Sequence, residues 1–258
     1  MITHDYVIRM EGHDLTELLN AWKFDPEHNV RTTTASDGRT VIQVRLPLGI
    51  EQYEIEGRPD GARPKGHETV LASIEERLRE HIITVGSDHS FVITPEEVEE
   101  LQAEGILFYY RYILLFQLDR FSEVIRDTEH NLSLCDMLER YCPRPEERDS
   151  VLQYRPFIIR LHAAAHAGAI HAGDRSGDAN ELLKAAINQI ESLPEVESPV
   201  FQLEQHRSIS YLQELLHNDP PDELKSALEE AVQQEDYERA AILRDQLQAR
   251  DVKVDKER

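Results

Sequence analysis

Of the twelve histidines in this 258-residue chain, two are spaced for chemistry. His162 and His166 stand four residues apart in an Ala-rich stretch, with His171 further along. On a helix that spacing puts both imidazoles on one face, which is two-thirds of a three-ligand zinc site. The Glu that follows the first His in zinc-hydrolase helices is absent, because position 163 is Ala, so a third ligand would have to come from elsewhere in the chain. Without one, the pair reads as core or surface histidine, and no metal or cofactor is expected. The two cysteines, Cys135 and Cys142, fit no common zinc spacing and cannot build a disulfide framework; two turns apart on one helix, they read as small buried thiols. Fifty acidic residues offer many carboxylate pairs, most of them belonging to solvated faces. Nothing singles out a nucleophile, base and oxyanion donor, so no catalytic residue is assigned and the chain is expected not to be an enzyme. The alternative is an uncharacterised metal-dependent or small-molecule enzyme.

Basic side chains are scarce. Lys and Arg number 28 against 50 Asp and Glu, a formal net charge of −22. Such a field repels a polyanion, and direct nucleic-acid binding is not expected. One stretch, Gly57 to Gly66, gathers Arg58, Arg63 and Lys65 among glycines and prolines. It reads as a surface connection, with a binding loop as the sharper alternative. No run of about 20 apolar residues is present to span a bilayer, and the first residues lack a basic-then-apolar leader pattern. A cytoplasmic location with no membrane partner is expected.

The elements that must position these groups divide the chain. Residues 1–92 predict a small αβ unit. Asp14-Leu15-Thr16-Glu17 has the layout of a capping box before a short helix through Trp22. Val30–Ala35 and Thr40–Leu46 predict a hairpin turning at Asp37-Gly38, with a third strand over Gly49–Ile55. A helix over Glu68–His81 carries Val70, Leu71, Ile74 and Leu78 on one face, which should cover the sheet. From residue 94 to 218 the pattern is helical. Thr94-Pro95-Glu96-Glu97 combines a capping Thr, a Pro at the first helical position and a closing Glu. The aromatic run from Gly105 to Gln117 predicts a helix buried on most sides. Helices over Leu152–His171, Asp178–Leu193 and Leu203–Leu216 follow, the second opening with Asp178-Ala179-Asn180-Glu181 as a capping box. The fold class is α+β, mainly α.

The stretch Phe116 to Leu132 resembles the tight turn of a tetratricopeptide helical hairpin, with Asp119 where that family carries Gly, and Val124 and Asn131 where it carries small residues. The resemblance implies stacked antiparallel helices through residues 94–218.

Residues 219–250 read as a helical hairpin, ahead of a charged tail over 251–258. Leu224, Leu228, Ala231 and Val232 recur at three- and four-residue intervals, and Asp236 can cap a second helix whose stripe is Tyr237, Ala240, Ala241, Arg244 and Leu247. The run Glu235-Asp236-Tyr237-Glu238-Arg239-Ala240-Ala241-Ile242-Leu243-Arg244-Asp245-Gln246-Leu247 resembles the UVR motif. That is the hairpin named for the B and C subunits of the bacterial excision-repair nuclease, and it also occurs in activators of protein arginine kinase and in Clp-type unfoldases. The resemblance implies a docking device: a non-enzymatic adaptor or regulator linked to excision repair or stress proteolysis. Physics points the same way. About 30 residues cannot bury enough area to stand alone without a staple or a partner, so the stripe must meet the preceding helices, a second copy in a homodimer, or another protein. The chain carries no phosphate-binding Gly-x-x-x-x-Gly-Lys loop, paired Cys-x-x-Cys module or nuclease signature that would add a catalytic part.

Overall fold

The computed structural model describes residues 14–218 apart from Asp174 and Ser176, together with Ala231, Arg239 and Arg244. The described elements are α1 (Thr16–Ala21), β1 (Val30–Thr34), β2 (Thr40–Leu46), β3 (Gly49–Glu54), α2 (Val70–Val85), α3 (Pro95–Gln117), α4 (Phe121–Tyr141), α5 (Pro145–Leu152), α6 (Arg155–His171), α7 (Ala179–Glu191) and α8 (Pro199–Asn218). The class is α+β and mainly α.

The hairpin turns where Asp37-Gly38 predicts, with Gly38 in the left-handed region at φ 88° and Thr34 paired to Thr40. β3 joins β2 antiparallel, giving the order β1-β2-β3. The Asp14 box does not form. Leu15 is the N-cap of α1, and Asp14 Oδ1 accepts from Thr16 N, 2.8 Å away, because the helix begins one residue late. At Thr94 the full box is present, with Glu97 N donating to Thr94 Oγ1 (3.3 Å) and Thr94 N to Glu97 Oε2 (2.9 Å).

One face of the sheet, Ile42, Val44, Tyr53 and Ile55, shares a hydrophobic cluster with Tyr112 and Leu115 of α3, Val124 and Ile125 of α4, and Leu161, Ala165 and Ala169 of α6. This cluster draws on residues from both sides of Thr94. Two arginines fasten the join. Arg111, fully buried, holds both oxygens of the fully buried Asp127 (2.6 and 2.8 Å) and gives its remaining nitrogen to Glu54 O and Gly57 O, each 2.8 Å away. Arg126 donates to Ile55 O at 2.7 Å. The carbonyls that β3 leaves unpaired at its end are thus satisfied from the helices.

α2 covers these helices and not the sheet, contrary to the sequence reading. Val70, Leu71 and Ile74 pack with Phe91, Ile93, Val98, Leu101, Leu134 and Leu138. The reason is Glu104 of α3, fully buried, whose carboxylate accepts from Val70 N (2.7 Å) and Leu71 N (3.0 Å) and so caps α2 from another helix. Burial opposes its ionisation, but His130 and those two amides outweigh that and hold its carboxyl below the usual range.

The helix expected over Leu152–His171 is α6. α5 ends at Leu152 and α6 starts at Arg155 with Pro156 in its first turn, where the missing N–H costs nothing. α3 turns into α4 through Leu118–Arg120, and Asp119 adopts φ 55°, in the left-handed region that favours Gly. α4 packs on α3 and α6, and α6 in turn on α7 and α8. At the α4–α6 contact a Cβ on Gly168 would stand 2.7 Å from the Phe121 ring. Asp178 caps α7 by accepting from Asn180 N and Glu181 N.

Candidate functional site

The aromatic run of α3 is not buried on most sides. Phe108, Tyr112 and Leu115 face the core, whereas Ile106, Tyr109 and Tyr110 are exposed. With Tyr154, Phe157 and Ile158 they border a groove of about 520 Å³ floored by Tyr112, Asn131, Leu134 and Cys135. Its polar groups are few. Asn131 donates Nδ2 to Gly105 O at 3.0 Å, and its buried Oδ1 has no hydrogen-bond partner. Glu204 lies at the rim, 3.8 Å from Arg160. Burial pushes the Cys135 thiol up to about 12, so it stays protonated and unreactive. The second cysteine, Cys142, is also buried and free.

The basic loop is engaged with its own chain. Arg58 faces Asp60 (3.2 Å) and Glu104 (3.7 Å), Arg63 faces Glu68 (3.7 Å) and Lys65 faces Glu100 (3.1 Å). Its cations are neutralised locally, which leaves the surface-connection reading.

His162 and His166 share a face of α6, as their spacing requires, with ring centroids 4.6 Å apart. The third group comes from α4: Glu129, His162 and His166 each offer a ligand atom within 4.8 Å of the others. His171 is not in this group and is exposed. Nothing in the sequence marks Glu129, since the α4–α6 packing that brings it there is a tertiary event. Burial, then His166 and Arg175, pull the His162 imidazolium down to about 4, so the ring is neutral at physiological pH. Burial and Arg175 likewise lower His166.

The terminal stripe completes the set of candidate residues. Of its members, Ala231 is helical and fully buried within the single chain, and Arg244 is helical and exposed. Leu224, Leu228, Val232, Tyr237, Ala240, Ala241 and Leu247 lie outside the described residues. Comparison with known families decides what this segment is. Residues 222–249 match the UvrB/uvrC motif family model. No curated protein and no solved structure matches the chain. The UVR segment thus occupies the interval in which sequence reasoning placed the hairpin. Among the described residues, no helix is long and apolar enough to cross a membrane.

Proposed function

We propose that the protein is a non-enzymatic adaptor or regulator that joins another protein, or a second copy of itself, through its UVR segment, in the service of excision repair or stress proteolysis. The observation that carries this reading is the family match over residues 222–249, because UVR motifs generally mediate protein–protein contacts. Size supports it: a hairpin of this length gains too little from its own burial to be a free-standing unit. Ala231 is buried within the chain, and Leu228 with Ala240-Ala241 are the members of the sequence-predicted stripe taken here to lead the docking face. Small side chains there let an opposing helix approach closely. The body contributes a second contact. The aromatic rim of the α3–α6 groove, with Glu204 beside it, suits a segment bearing apolar and basic side chains, and the strongly acidic surface steers such a segment in.

Replacing Leu228 and Ala241 together by Asp puts two charges into the stripe while leaving the body's core untouched. Expected in light scattering and pull-down is a loss of about tenfold or more in self-association or partner capture, with an unchanged far-ultraviolet circular dichroism spectrum for the body. Association equal to that of the native chain would overturn the reading.

A further inference from the structure

We propose that Glu129, His162 and His166 form a binding site for one divalent transition metal of the zinc class, held between α4 and α6 with a fourth position open. The inference stands apart from the docking reading and does not depend on it. Three features of the site support it.

The first is convergence. One carboxylate and two imidazoles, from two packed helices, already place their ligand atoms within 4.8 Å of one another. A tetrahedral ion with bonds of about 2.0–2.1 Å needs its donors about 3.3 Å apart. Closing that difference is the adjustment the proposal asks of the three side chains, which sit on two helices already packed closely at Gly168 and Phe121. The second is the state of His162. Its Nδ1 lies 2.8 Å from Thr128 Oγ1. Thr128 is fully buried, and its single hydroxyl proton is committed to Val124 O (2.7 Å) or Ile125 O (2.9 Å). The hydroxyl therefore accepts from Nδ1–H, which leaves the lone pair on Nε2. An outer hydrogen bond that fixes the tautomer and the ring in this way is what metal-bound imidazoles carry. The third is selectivity. Two nitrogen donors and one oxygen disfavour the all-oxygen octahedron of magnesium or calcium and suit zinc or its first-row neighbours. Glu129 is exposed, so the fourth position faces solvent and is available to water or to a donor from a docked partner.

Arg175 is the competitor. Its guanidinium donates to His166 Nδ1 at 3.1 Å, a contact that occupies a ring nitrogen and sets a positive charge beside the place of the ion. Metal loading displaces it, so Arg175 weakens the site in the metal-free chain.

The test is titration of the full chain with zinc by calorimetry, with cobalt as the spectroscopic probe. Expected are one zinc bound with low-micromolar affinity or tighter, a tetrahedral cobalt absorption band, and affinity losses of about tenfold or more in Glu129→Ala and His166→Ala. Arg175→Gln should tighten zinc several-fold, a gain that misfolding cannot imitate. The proposal is overturned if the native chain takes up no zinc at submillimolar concentrations, or if the Glu129 and His166 variants bind as tightly as the native chain. It is equally overturned if Arg175→Gln fails to bind more tightly.

Discussion

Replacing Asp127 by Ala leaves the fully buried Arg111 guanidinium facing two backbone carbonyls and no carboxylate. A buried charge stripped of its partner costs about 3–5 kcal/mol, so urea unfolding of Asp127→Ala should show a loss of that size. Glu104 makes a second prediction, this time with a pH signature. Its folded pKa lies below its ordinary value, so the stability it contributes is full above about pH 4.3, the unfolded carboxylate pKa. That contribution is lost as pH falls through the folded value. Glu104→Gln should cost about 1–3 kcal/mol at neutral pH, and its stability should decline less steeply than the native protein's below about pH 4.3. Unfolding midpoints collected across that range check both. Neither group was legible in the sequence. A carboxylate that caps a helix 34 positions back, or an Asp that meets an Arg across a helix pair, carries no mark of spacing, and both emerge only once α3 and α4 are packed.

Elements were far more legible than partners. The Asp37-Gly38 turn set the hairpin register because Gly38 takes the left-handed backbone there and donates its N–H to Ala35 O at 2.9 Å, and the Thr94 box set the start of α3 because both of its hydrogen bonds are local. What failed depended on distant contacts: α2 covers helices through Glu104, and Tyr109 and Tyr110 open outward beside a groove. The Glu129–His162–His166 group falls between these cases. Its i, i+4 histidines were visible and its carboxylate was not. Close packing of α4 on α6 underlies both that group and the core beneath the sheet, and Gly168 is the position that permits it. Gly168→Ala would drive a methyl into the Phe121 ring. Overpacking of this kind costs about 1–3 kcal/mol, and thermal unfolding should show a lowered midpoint even though Ala is the better helix former.

At the scale of the whole molecule, the sheet and the helices α3, α4 and α6 share a hydrophobic cluster, and the UVR segment follows them in sequence. The proposed docking reading takes the net charge of −22 of the whole chain as a field that favours basic over polyanionic partners. The account then rests on what the terminal segment engages. Affinity purification from the native host, comparing the tagged full chain with one ending at residue 218, measures this most directly. The account predicts that the proteins recovered with the full chain, or its own second copy, fall by about tenfold or more on truncation while the body keeps its helical spectrum. Recovery of the same proteins in the same amounts with the shortened chain would contradict it.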